Sequence, residues 1–145
     1  MELLFQRLTA GMNGEADFVE IRQIRIPVRF VAREVVWFDF AELCGGHHDQ
    51  SDYLDIAHRF PTVLVSGIPK MTAENGAAAR RFTWLIDVLY DNHVKLAAGF
   101  AVLLDELYEA GRHDSEAQRI ASRLTEMQTR HYLELPHRSR GATLA

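Results

Sequence analysis

The stretch from Ala79 to Gly99 constrains this chain most, because its apolar period changes part-way along from helical to extended. Ala79, Phe82, Leu85, Ile86, Leu89 and Tyr90 fall on one side of a 3.6-residue repeat, which predicts a helix with one buried face. Arg80, Arg81, Trp84, Asp87 and Asp91 fall on its outer side. The residues that follow read as a buried strand over about 94–98. Upstream, a short apolar run bounded by Pro61 and Gly67 reads as another strand over about 62–66. Strand, helix and strand make a βαβ unit. Two buried strands joined by one helix are expected to lie parallel, with a right-handed crossover.

The remaining segments are placed around that unit. Leu3, Leu4, Phe5 and Leu8 predict a short helix, ended by the glycines at 11 and 14. Ile24, Ile26, Val28 and Phe30 alternate with Gln23, Arg25, Pro27 and Arg29, as in a half-buried strand. Val19 and Ile21 have the opposite phase, so a turn or bulge is needed near Arg22-Gln23. Pro27 cannot donate to a ladder and favours an edge. Val35 to Phe40 reads as the next strand, and the two form an N-terminal antiparallel hairpin. Ser51 is the expected cap of a helix over 52–58. A short amphipathic helix is predicted over 102–108. A final helix, with Ser115 and Gln118 as a capping box, buries Ala117, Ile120, Ala121, Leu124 and Met127. The fold class is therefore α/β: a βαβ unit, an N-terminal antiparallel hairpin and a C-terminal helix packed on it. Residues 1–135 are expected to form a single domain and 136–145 a disordered tail.

Bulk composition narrows the function. A length of 145 residues with 48% hydrophobic content supports a sizeable core. The net charge of -4 disfavours nucleic acid as a partner. No apolar run approaches the roughly 20 residues of a spanning helix, so no integral membrane segment is expected. The single cysteine, Cys44, has no internal disulfide partner, and the N-terminus lacks a secretory pattern. A cytoplasmic location is the expectation.

Several constellations carry chemistry, each with a blander reading beside it. Cys44, His47, His48, Asp52 and His58 supply donors of the kind zinc prefers, yet no spacing among them matches a closed site. A solvated loop beside a half-buried cysteine is the favoured reading, and no metal site is assigned. Cys44 as a nucleophile would need a nearby base and a lowered thiol pKa. Arg119 and Arg123 lie one helical turn apart on the polar face of the last helix, and a phosphate would suit them. Equally, Glu116 and Glu126 are spaced to neutralise that face within the helix. Arg80 and Arg81 are weaker candidates of the same kind. Asp87 and Asp91, one turn apart, read as a solvent face. Ser66 to Thr72 follows a strand and contains Gly67, Lys70 and Thr72, but it is not the phosphate-cradling Gly-x-x-x-x-Gly-Lys-[Ser/Thr] loop, and no other stretch matches that pattern.

Several conspicuous blocks stand in order along the chain. They are Trp37-Phe38-Asp39-Phe40-Ala41-Glu42-Leu43-Cys44, Asp52-Tyr53-Leu54-x-Ile56-Ala57 and Thr62-Val63-Leu64-Val65-x-x-Ile68-Pro69. The most specific is Ala79-Arg80-Arg81-Phe82-x-x-Leu85-Ile86-Asp87-x-Leu89-Tyr90-Asp91-x-x-Val94-Lys95-Leu96, and Ser122-Arg123-Leu124-x-Glu126-Met127-Gln128 closes the series. Together, in this order, they resemble the ZapE and AFG-like ATPases, P-loop proteins of the AAA+ class, and the resemblance runs from about 4 to 133. It implies the C-terminal portion of an ATPase whose Walker A and Walker B motifs lie in a preceding half. By the same resemblance, Arg119 and Arg123 are phosphate-sensing or finger arginines. Arg80 and Arg81 are weaker contacts to the nucleotide domain. ATP and magnesium are implied by the family alone, with neither expected on the isolated chain, and catalysis is not expected from it either. The implied partners are a protein, the P-loop half or further copies in a homo-oligomer, and the implied role is in cell division or protein quality control. The sequence departs from the family pattern near Gly67, at Gly99 and Val102, and near Ala117. A stand-alone interaction module using the exposed Trp84 side of the central helix or the basic tail, or a decayed paralogue, is the alternative. A metal-site enzyme is the third.

Overall fold

A computed structural model describes residues 11, 14, 16–109 and 114–138. The expected helix over 3–8 and the residues from 139 onward lie outside the described residues.

Strands β1 (Phe18–Ile21) and β2 (Ile24–Pro27) form a two-stranded antiparallel sheet in which Val19 faces Ile26. The turn needed near Arg22-Gln23 is there: both residues have positive φ, 51° and 71°, as a two-residue hairpin loop of matching twist requires. The predicted hairpin is thus divided. Pro27 ends β2, and only β3 (Phe30–Val31) pairs antiparallel with β4 (Val35–Asp39), Phe30 opposite Trp37 and Val31 opposite Val36. The missing N–H of Pro27 breaks the ladder between the two pieces.

From β4 the chain enters α1 (Phe40–Cys44), a loop, and α2 (Gln50–Arg59). β5 (Thr62–Ile68) then runs parallel to β4, α3 (Gly76–Asp91) crosses over, and β6 (Lys95–Phe100) runs parallel to β5. The sheet order is β3-β4-β5-β6, so the predicted βαβ unit stands, with each strand slightly longer than its apolar core suggested. The pleat divides the strands cleanly. Val36, Phe38, Val63, Val65 and Leu96 join the main core under the helices, while Trp37 and Leu64 form a second buried cluster on the opposite face, with Phe30, Val35 and Ala97 packed against it. Burial on both faces is the reason the parallel strands read as continuous apolar runs.

Two helix starts differ from expectation. Asp49, not Ser51, caps α2: its Oδ1 accepts from the backbone N–H of Ser51 and Asp52, at 2.9 and 3.1 Å, and Asp52 returns a bond to the Asp49 N–H. Asp114, not Ser115, caps α4 (Ser115–Glu126), accepting from the Ala117 N–H at 2.8 Å. A carboxylate satisfies the orphan N–H groups and also opposes the positive end of the helix dipole. The helix predicted over 102–108 is instead a single 3-10 turn, Leu104–Glu106. Its backbone is spent otherwise: Met71 N–H donates to Leu107 O and Glu109 N–H to Met71 O, while Leu107 is fully buried. The last element, α5 (Arg130–Leu133), buries Tyr132.

Candidate functional site

Helix α3 organises the functional groups. Its apolar face commits Phe82, Leu85, Ile86 and Leu89 to the core, which leaves Asp87 and Tyr90 on the flank that α4 approaches. Helix α4 buries Ala117, Ile120 and Leu124, and by the same periodicity carries Arg119 and Arg123 to that flank. Arg119 Nη2 donates to Asp87 Oδ2 at 2.9 Å and Arg123 Nη1 donates to Asp87 Oδ1. One carboxylate therefore receives two guanidinium groups, one on each oxygen. The Arg123 guanidinium also lies 4.6 Å from the Tyr90 ring centroid, and Tyr90 OH donates to Glu126 Oε2 at 2.8 Å. That hydrogen bond raises the Tyr90 pKa, and the bond to Asp87 raises that of Arg119.

This arrangement differs from the intrahelical neutralisation that the spacing of Glu116 and Glu126 allowed. The partner of both arginines is Asp87, which the sequence placed on a solvent face. Asp87 is 32 and 36 residues away from them, beyond the reach of any local spacing rule. Glu116 adds its negative charge near Arg119 and Glu126 stands beside Tyr90, so the cluster carries no excess of positive charge, while each guanidinium keeps further N–H donors beyond the one given to Asp87.

A second basic region lies on the N-terminal half of α3. Arg80, Arg81 and Trp84 form one wall of a cleft of about 520 Å3, and His47, His48 and Asp49 from the α1–α2 loop form the other. Arg81 is half-buried and donates from Nη1 to Cys44 O at 3.0 Å, which ties α3 to the end of α1. Arg80 is exposed and has no hydrogen-bond or ion-pair partner among the described residues. Asp49 is occupied by capping α2 and lies 3.8 Å from Arg22. Trp84, expected on an exposed side, is half-buried and packed against the core.

Among the described residues, the cysteine and the histidines do not assemble into a reactive centre. Cys44 is completely buried, and burial pushes its thiol up to about 12. A thiol held neutral is neither a good nucleophile nor a ready metal ligand. Among the described residues, no three of the His, Cys, Asp and Glu side chains converge as a ligand set. The polar groups of the end of β5 and of the segment after it are satisfied, Ser66 by β4 and Thr72 locally. Ser66 Oγ accepts from Trp37 Nε1 at 3.0 Å and donates to Asp39 Oδ1 at 3.1 Å, and Asn75 Oδ1 accepts from Thr72 N–H at 2.8 Å. No helix among the described residues is long and apolar enough to cross a membrane.

Comparison with known proteins bears on the whole chain. The family model described as AFG1-like ATPase matches residues 1–136. The cell division protein ZapE of Escherichia coli K12 is 34% identical over 137 residues, which is 94% of this chain and 36% of that protein. Lactation elevated protein 1 homolog B of Danio rerio is 36% identical over 88 residues, 61% of this chain and 18% of that protein. An uncharacterized protein of Schizosaccharomyces pombe is 39% identical over 92 residues, 63% of this chain and 20% of its own. The chain thus spans about a third of the bacterial relative's length and less of the others. No solved structure matches.

Proposed function

Because the chain belongs to the AFG1-like ATPase family, we propose that it acts as the C-terminal part of an ATP-hydrolysing protein. In that role it supplies Arg119 and Arg123 as phosphate-sensing groups. The carrying observation is the meeting of both arginines on Asp87, which fixes two guanidinium groups at one place with N–H donors to spare. A phosphate brought there by a P-loop portion, or by a neighbouring copy, competes with Asp87 for the same donors. Guanidinium geometry suits phosphate oxygens, and positive charge placed where phosphoryl transfer develops negative charge accelerates it. Arg80 and Arg81 are the weaker contacts in this reading.

ATP and magnesium belong to the P-loop portion, since none of the 145 residues forms the phosphate-cradling loop. That group supplies the hydrolytic chemistry; this chain's arginines orient and neutralise. The protein partner lies in the cytoplasm, in cell division, as the ZapE relative's name suggests, or in protein quality control. The test is reconstitution. This chain is mixed with a family member's P-loop portion, and association and ATP hydrolysis are measured. The reading expects a complex whose hydrolysis falls by about tenfold or more in Arg123→Ala or Arg119→Ala, the loss of one charged hydrogen bond. Unchanged hydrolysis in both variants, or no association, would sink it.

A further inference from the structure

The geometry points to a second anion site in the cleft between the α1–α2 loop and the first turns of α3, taking a phosphoryl group carried on a small organic molecule. It does not depend on the role given to Arg119 and Arg123. Four side chains able to donate line it from two independent elements: Arg80 and Arg81 from α3, His47 and His48 from the loop, the His48 Nδ1 lying 3.7 Å from Asp52 Oδ2. Arg80 has no partner among the described residues, and Arg81 spends one of its five N–H donors on Cys44 O. The acidic lining residue, Asp49, is already engaged by two backbone N–H groups.

The position in the fold agrees with the chemistry. The α1–α2 loop comes one short helix after the C-terminal end of β4, and α3 begins one 3-10 turn, Ala73–Asn75, after the loop that leaves the C-terminal end of β5. That edge of a parallel sheet is where α/β folds bind ligands. Gly76 and Ala77 line the cleft with little side-chain bulk, and no acidic residue occupies the first turn of α3. Donors arrayed on two sides match a tetrahedral phosphoryl group with three outward oxygens better than a planar carboxylate with two. The volume, about 520 Å3, is that of a small-molecule site and exceeds the needs of a bare phosphate. Trp84 gives the carrier an apolar ring to lie against.

Trp84 also supplies the readout. The chain has two tryptophans, Trp84 and Trp37, and Trp37 is buried in the cluster on the far face of the sheet. In the full chain carrying Trp37→Phe, fluorescence is followed during titration with a nucleoside monophosphate, a sugar phosphate, inorganic phosphate and a dicarboxylate, all without magnesium. Both organic phosphates are expected to give a saturable change and inorganic phosphate a weaker one. Arg80→Gln should weaken the response by about tenfold or more, the loss of one charged hydrogen bond, with the thermal melt unchanged. Arg119→Ala and Arg123→Ala should leave it intact, because Asp87 lies seven residues, about 10 Å, further along α3. The proposal is overturned by no saturable change with any phosphate. It is equally overturned by a dicarboxylate that binds as tightly, or by a response that survives Arg80→Gln but fails in the Arg119 or Arg123 variant.

Discussion

At the scale of single residues, Asp87 and Cys44 make opposite uses of their surroundings. Asp87 joins two helices through two charged hydrogen bonds. Because both arginines are partly exposed, solvent screens much of that attraction. Asp87→Asn should therefore cost only about 1–2 kcal/mol in urea unfolding. Asp87→Ala and Arg123→Ala should combine non-additively, by about 0.5 kcal/mol or more, in a double-mutant cycle. Strict additivity would show that the pair contributes nothing. Cys44 is held neutral by burial, its pKa moved from 9.0 to about 12. The folded chain thus keeps a proton that the unfolded chain releases above pH 9. The stabilisation this represents is complete below pH 9 and is lost between there and about pH 12, at up to about 1.4 kcal/mol per pH unit. The stability difference between the native chain and Cys44→Ala should shrink as pH rises from 8 to 11. A difference independent of pH would place the thiolate elsewhere than in a dry core.

At the scale of elements, the two displaced caps show which part of a helix start is legible in sequence. Ser51 and Ser115 are good caps by type, and each is preceded closely by an aspartate that is better. Periodicity places a helix to within a residue or two, and the choice between adjacent capping residues is then made by the backbone path entering it. Asp49→Ala should cost about 0.5–2 kcal/mol, and Ser51→Ala less than about 0.5 kcal/mol. Equal losses in denaturation would mean that the cap seen at Asp49 is not the operative one. The stretch over 102–108 failed for a different reason. Its apolar residues had a helical spacing, but the backbone of Leu107 and Glu109 pairs with Met71, a partner more than thirty residues upstream that no window of sequence contains. Helix α3 was legible from Ala79 onward because a run of one period that long outweighs any such competition, although its first residues, 76–78, and the packing of Trp84 were not.

At the scale of the molecule, α3 runs opposite to the parallel strands and so separates two ends with different work. Its N-terminal end and the C-terminal ends of β4 and β5 border the basic cleft. Its C-terminal end is closed by the chain's last described segment, where the Tyr132 hydroxyl lies 2.7 Å from Val94 O and 3.2 Å from Leu89 O. Arg138 N–H donates to Asn92 O, and His137 Nε2 meets Ala57 O at 2.6 Å. The parallel pair β5–β6 and its crossover helix were readable from apolar runs alone, whereas the parallel placing of β4 beside β5 was not. The cleft was not, because its walls come from a glycine-histidine loop and a helix about thirty residues later, and only the completed crossover brings them together. If the two ends are independent, damage to one should not reach the other. Tyr132→Phe removes a buried hydroxyl with both carbonyls left in place. It should lower stability by about 1–2 kcal/mol, and the melting temperature by several degrees. The Trp84 response to organic phosphates should keep its midpoint at temperatures below the melt. A weakened response in the folded variant would mean that α3 transmits strain along its length, and that the closed end sets the geometry of the cleft.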